Sequence, residues 1–174
     1  VDDFYLTSAG LIVVETTNDG FNMDLYKYAI PQTVPYWVRN AVANRNARSA
    51  PEWTNLFAQY NSGTYNNQWM IVDINKFVPG ASQSHPDLFH VLEQLPGMIK
   101  TKSQSNYLDE NGYWGSYNIP FYPEIFNASG YAAMEAKYGD YWSHNHCPRA
   151  NIFRKYQSPV QNVEQMKNLM RRNA

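Results

Sequence analysis

Residues 61–73 read NSGTYNNQWMIVD. Asn61-Ser62-Gly63 is a turn cluster, and the segment YNNQWMIVD (65–73) behind it predicts a strand. Asn66, Asn67 and Gln68 stand directly before Trp69. Amides beside a tryptophan point to burial with hydrogen bonds. Even so, the preferred reading of Asn66, Asn67 and Gln68 is that they cap or brace the preceding turn, as Asn commonly does.

Strand signals continue on both sides. Downstream, LFHVLEQLPG (88–97) predicts a second strand beyond the loop PGASQSHPD (79–87), and GYWGSYNIP (112–120) a shorter one broken at Pro120. Upstream, residues 3–17 predict two strands meeting near Ala9-Gly10. Leu11, Ile12, Val13 and Val14 form a run suited to a sheet covered on both faces. Asn18-Asp19-Gly20 then turns the chain.

Between these strand blocks the period changes to that of a helix. From Pro35, Trp37, Val38, Ala41 and Val42 recur at helical spacing; after Ser49, Trp53, Leu56, Phe57 and Tyr60 form one apolar face. Ser49 and Glu52 make an S-x-x-E capping box around Pro51. The last third predicts helices over YAAMEAKY (131–138), RANIFRKY (149–156) and an amphipathic stretch from about Val160 with Val163, Met166, Leu169 and Met170 on one face. Strands and helices therefore fall in blocks, which argues for a layered α+β or α/β sandwich over a doubly wound sheet. No repeat or linker divides residues 1–174, so the chain reads as one domain or part of one.

At 44% hydrophobic and 16% aromatic residues, the 174-residue chain has ample material for a core. Lys+Arg 14 nearly balance Asp+Glu 15, with no run of like charge, so the basic footprint of a nucleic-acid partner is missing. A membrane-spanning helix needs roughly 18 to 20 apolar residues, and LIVVE and WMIVD are each cut short by a carboxylate. The chain starts at Val1 directly into an apolar run and stops just past an amphipathic stretch, which predicts further sequence on both sides. Asn127-Ala128-Ser129 is an N-glycosylation sequon and hints at export.

Few residues offer chemistry by pattern alone. His144, His146 and Cys147 lack a zinc spacing and a second ligand pair, so a polar surface loop is the preferred reading over a metal site. The single cysteine, Cys147, has His146 beside it in sequence, but adjacent side chains often diverge, which favours an unremarkable or externally paired thiol. Asp2, Asp3 and Glu15 stand at strand ends, where carboxylates are commonplace. Arg149 reads equally as a buried salt bridge at a helix start and as a functional group.

Five strings, NSGTYNNQWMIVD, VLEQLPGM, YWGSYNIPF, FNASG and PRANIFR, taken in order, resemble the phospholipase B-like family of lysosomal and secreted proteins. The resemblance runs from Asp2 to the last residues. It implies an αββα sandwich of the N-terminal-nucleophile hydrolase type, matured by internal self-cleavage that exposes a cysteine as a new chain start. It implies further that Asn118 donates to the oxyanion, that Arg149 is a buried cation near the nucleophile, and that Thr17 lines the same pocket. The family's nucleophilic cysteine precedes the region spanned here, and Cys147, two residues before Arg149, is not a substitute for it.

The function so implied is acyl-bond hydrolysis, of a phospholipid ester or an amide, with the segment inactive alone and partnered by the rest of the same precursor. No cofactor is implied, the location is lysosomal or secreted, and Asn127 is the glycosylation candidate. The alternative is a non-catalytic glycoprotein scaffold or binding module of the same fold. The residue upstream decides between them: a cysteine behind a cleavable bond marks the enzyme.

Overall fold

The computed structural model describes residues 3–172. Its frame is a five-stranded antiparallel sheet in sequential order: β1 (Phe4–Leu6), β2 (Leu11–Thr17), β3 (Asn67–Asp73), β4 (Phe89–Leu95) and β5 (Met98–Ser103). Among the described residues seven α-helices accompany it: α1 (Tyr36–Asn46), α2 (Ala50–Ala58), α3 (Ser105–Asn111), α4 (Pro123–Ser129), α5 (Tyr131–Tyr138), α6 (Pro148–Tyr156) and α7 (Val163–Met170). The fold is α+β, with the strands in one antiparallel meander and most helices in a C-terminal block.

Register sorts the side chains onto two faces. Val13 opposes Ile71, Glu15 opposes Trp69, and Trp69 opposes Leu92, so these point one way with Leu11. That face receives α1 and α2 through Ala43, Ala47, Ala50, Trp53 and Phe57. Trp53 stacks on Phe57 with centroids 4.8 Å apart, and Trp69 meets the pair at 5.5 and 4.9 Å. The opposite face carries Met70, Phe89, Val91 and Leu95, covered by Tyr122 and Ile125 from the segment entering α4.

Cover on this second face is uneven. β3 and β4 are buried on both sides, whereas the expected doubly covered run in β2 alternates instead: Leu11 and Val13 are buried, while Ile12 is exposed and Val14 half-buried. Phe4 and Leu6, beside Val14 and Ile12 in register, are 71% and 74% exposed. The reason is reach, because α4 contacts β4 and β5.

Helix α1 lies where the periodicity places it, but the expected apolar face is turned outward. Trp37 and Val42 are exposed, and Arg39, Asn40 and Ala43 are buried. Arg39 decides this orientation. It donates to the carbonyls of Val34 (3.0 Å) and Phe57 (2.5 Å) and to Gln94 Oε1 (2.6 Å), and its guanidinium lies 4.3 Å from the Phe57 ring centroid. Burial pulls its pKa down to about 10, so it remains a cation at neutral pH, held by oxygen dipoles.

In α2 Ser49 Oγ accepts from Glu52 N at 3.4 Å as expected, while Glu52 Oε2 accepts from Arg48 N at 2.7 Å, one residue before the usual capping-box donor. Ser49→Ala is expected to cost about 1 kcal/mol of stability in urea titration, the ordinary value of an N-cap.

Two boundaries differ from the sequence reading. The strand expected over 88–97 stops at Leu95, and Pro96-Gly97 turns the chain into β5, which carries few apolar residues because it is an edge strand with Lys100, Thr101 and Lys102. Gly97 has φ +73°, and a Cβ there would meet the Tyr28 ring at 2.7 Å. Gly97→Ala is thus expected to cost more than the ~1 kcal/mol of left-handed strain alone, read as a lowered Tm. Residues 113–117 are irregular and pair with no strand, and the chain bends at Asn118-Ile119. In α7 the expected apolar face is mostly open: Leu169 is buried, and Val163, Met166 and Met170 are exposed.

Candidate active site

The unpaired stretch 113–122 is tied to the ends of the strands by side chains. Trp114 Nε1 donates to Gln68 Oε1 at 3.0 Å, the Ser116 and Thr16 hydroxyls share a hydrogen bond, and Asn118 Nδ2 donates to the Thr17 carbonyl at 2.7 Å. The amides of Phe121 and Tyr122 then donate to the Glu93 carboxylate at 2.7 and 3.0 Å. Pro120 leaves this stretch without a full ladder, so polar side chains take over its pinning.

Asn118 sits at the middle of the stretch in a left-handed conformation, φ +58°, which asparagine tolerates better than most residues. Its carbonyl accepts from the Tyr131 hydroxyl at 2.7 Å, and its Oδ1 accepts from Arg149 Nη1 at 2.5 Å. The amide orientation follows from its neighbours: nitrogen must face the Thr17 carbonyl and oxygen must face the guanidinium. One N–H of the side chain is used by Thr17, and the second is left for another acceptor. Burial pushes Tyr131 up to about 12, so its hydroxyl stays protonated as the donor to Asn118.

Arg149 reaches this point from the first turn of α6, where Pro148 also stands and Cys147 is the N-cap. A cavity of about 310 Å³ opens here, lined by Asn118, Arg149, Tyr131, Trp142, Cys147 and Asp19. Its aromatic wall is braced by Phe21, whose ring lies 5.0 Å from Tyr131 and 5.3 Å from Trp142. An amide polarised by a guanidinium, facing a partly apolar cavity, is suited to hold negative charge on a carbonyl oxygen.

The family model for Phospholipase B matches residues 1–174. This chain belongs to the phospholipase B family. A human putative phospholipase B-like 2 is 47% identical over 173 residues, covering 99% of this chain and 29% of that protein. Phospholipase B-like protein G of Dictyostelium discoideum is 45% identical over 177 residues, 99% of this chain and 30% of that protein. Human phospholipase B-like 1 is 43% identical over 173 residues, 99% of this chain and 31% of that protein. This phospholipase B family chain therefore spans about a third of the length of the curated relatives it matches.

Within this phospholipase B family chain, Thr17, Asn118 and Arg149 form one hydrogen-bonded file, although they lie 101 and 31 residues apart in sequence. Two details differ from expectation. Arg149 is exposed, and its partner is the amide of Asn118 where a salt bridge was the other reading. Thr17 joins through its backbone carbonyl, and its side chain lies beside the Tyr65 hydroxyl. Strand pleating accounts for this, since the side chain of Thr17 shares a face with Glu15, whose Oε1 accepts from Tyr65 at 3.2 Å.

The other chemical candidates separate. His144 packs between the rings of Tyr117 and Phe121, both 5.3 Å away, and burial lowers its pKa; His146 is exposed. Cys147 is buried, with its thiol 3.8 Å from the His144 carbonyl. So 144–147 is a packed corner and only partly the surface loop expected. Among the described residues no group of three or more His, Cys, Asp or Glu side chains is placed to hold a metal ion. No helix among them is long and apolar enough to cross a membrane. Asp2 lies outside the described residues, and Asp3 and Glu15 do not border the cavity. Asn67 and Gln68 belong to β3 and are fully buried, so they do not brace a turn; Gln68 is hydrogen-bonded to Glu93 and Trp114.

Asn127 is exposed in the last turn of α4, a helix absent from those the sequence predicts. Sequence reasoning also missed Tyr131, Asp19 and Glu93. For Glu93 a signal existed: an acid inside the apolar run VLEQL must find donors if that run is a buried strand.

Proposed function

We propose that this chain forms the oxyanion-side wall of an N-terminal-nucleophile hydrolase that cleaves acyl bonds, either phospholipid esters or amides, through a cysteine outside these 174 residues. The observation that carries the reading is the file from the Thr17 carbonyl through Asn118 to Arg149 at the rim of an aromatic-lined cavity. In this scheme the thiolate attacks the acyl carbonyl carbon, and the carbonyl electron pair moves to oxygen as the carbon becomes tetrahedral. The second N–H of Asn118 holds that oxygen, with Arg149 drawing charge from the far end of the amide. The leaving alcohol or amine departs with a proton, and water then hydrolyses the thioester. A chain-start cysteine brings its own base, because an α-amino group has a pKa of about 8 and a thiol one of about 8.5.

The residues fit a partial domain of an αββα sandwich. Phe4, Leu6 and Ile12 leave an apolar strip uncovered on one sheet face, the surface that a second sheet would bury. We assign residues 1–174 to the interior of a single hydrolase domain whose partners are the other parts of the same precursor. Exposure of Asn127 accords with a glycoprotein of the lysosome or the secretory route. Removing N-glycans from the native protein is expected to shift its mass, and Asn127→Gln to abolish the shift for the peptide that carries this site.

The experiment that tests the enzyme reading is intact-mass analysis with N-terminal sequencing of the native, processed protein. A cysteine at a newly generated chain start is the expected result. Serine or glycine there, or an unprocessed chain, would establish the non-catalytic scaffold with the same fold instead.

A further inference from the structure

Glu93 is fully buried at the centre of β4, facing away from α1 and α2. Its Oε1 accepts from Gln68 Nε2 (2.7 Å), from the Phe121 amide (2.7 Å) and from Asn18 Nδ2 (3.3 Å), and its Oε2 accepts from the Tyr122 amide (3.0 Å). Among the described residues no cation is paired with it: its register neighbour Lys100 is committed to Glu124 at 2.8 Å. These four donors come from three places. Asn18 follows Thr17 at the end of β2, Gln68 is on β3 and is itself held to Trp114, and Phe121 and Tyr122 lie just beyond Asn118.

A structural role alone would be met at lower cost by an apolar residue at this position, since burying a carboxylate without a cation is unfavourable. The placement of its donors says what the carboxylate does. We infer that Glu93 is a positioning residue of the candidate site, clamping the 118–122 turn against the end of β2 so that the Asn118 amide meets both Thr17 and Arg149. This inference rests on the oxyanion assignment for Asn118. Tyr131 holds the Asn118 carbonyl and Ser116 holds the approach to it, so Glu93 supplies the anchor on the downstream side.

Burial raises the pKa of Glu93, and its hydrogen bonds to Phe121, Gln68, Tyr122 and Asn18 oppose the rise, which fits a carboxylate retained for the donors it gathers. Glutamine in its place keeps the shape but turns one acceptor oxygen into an NH₂ group facing an amide hydrogen, so one clamp bond is lost. The downstream side of the turn is then held by a single backbone amide in place of two.

The test is steady-state kinetics on the intact, processed protein with Glu93→Gln, Asn118→Ala and the double variant. Glu93→Gln is expected to lower kcat by about 10- to 100-fold with KM within about twofold, the size of loss that follows from misplacing a group by around 1 Å. In the Asn118→Ala background the same change should have little further effect, because it acts through that side chain. Asn18→Ala, which removes one donor to Oε1 and leaves the strands intact, is expected to produce a smaller loss of the same kind, and it stands in if Glu93→Gln does not fold. A loss in Asn118→Ala with unchanged kcat in Glu93→Gln, or full additivity of the two, overturns the positioning role and leaves the oxyanion assignment standing. Unchanged turnover in Asn118→Ala defeats the oxyanion assignment instead. The position of the 118–122 turn in a crystal structure of Glu93→Gln then decides the clamp by itself, a displaced turn supporting it and an unmoved turn refuting it.

Discussion

Asn118→Ala in the intact, processed protein is expected to lower turnover by about 10² to 10³-fold, the loss that follows removal of one oxyanion donor, equivalent to roughly 3–4 kcal/mol of barrier. KM should change little, because the free N–H meets charge that develops only as the carbonyl becomes tetrahedral. The backbone supplies a control. Asn118 has φ +58°, so alanine adds left-handed strain of about 1 kcal/mol, whereas Asn118→Gly removes it. If the side-chain amide is the agent, both variants lose turnover alike and differ only in stability. Equal activity of Asn118→Gly and the parent protein would show that the amide has no part in the reaction.

The second large effect is on the fold. Trp69→Ala is expected to cost about 3–5 kcal/mol in urea denaturation of the intact protein, with an unchanged m value. Trp69 is fully buried on β3 and touches both aromatic rings of α2, Trp53 and Phe57, so its removal opens a void that the two remaining rings cannot fill by small movements. A loss below about 1 kcal/mol would mean that the helices are not held on the sheet through this cluster.

The same residue shows how far the sequence could be read. The strand Asn67–Asp73 was legible because Trp69, Ile71 and Val72 have strand propensity behind a turn cluster, but the burial of Asn67 and Gln68 was not, since amides just behind a turn cluster read first as turn braces. Helix α2 was legible from its cap and its Trp53 and Phe57 spacing. The face of α1 was not, because hydropathy ranks Trp37 and Val42 inward and Arg39 outward. The tertiary partners Gln94, Phe57 and Val34, which reverse that ranking, come from distant or non-periodic positions. β5 escaped for a related reason, since an edge strand with two lysines looks like a loop in isolation.

The site was less legible still. No local pattern joins Thr17, Asn118 and Arg149; likeness to a family suggested them, and the fold brings them into one file. What pattern reasoning could not supply was the means of holding them. Asn118 belongs to a stretch that looks like a strand by its aromatics, yet side chains from β2, β3 and β4 hold it, and the Glu93 carboxylate gathers the most donors. Side-chain anchoring has no period, so periodicity cannot find it.

The most direct measurement is a crystal structure of the intact, processed protein trapped as its acyl adduct. The account predicts a thioester or tetrahedral adduct on an N-terminal cysteine from outside the present 174 residues, with its oxygen about 2.7–3.1 Å from Asn118 Nδ2 and Arg149 still on Asn118 Oδ1. An adduct on Cys147, or one whose oxygen is held by other donors away from Asn118, would contradict it.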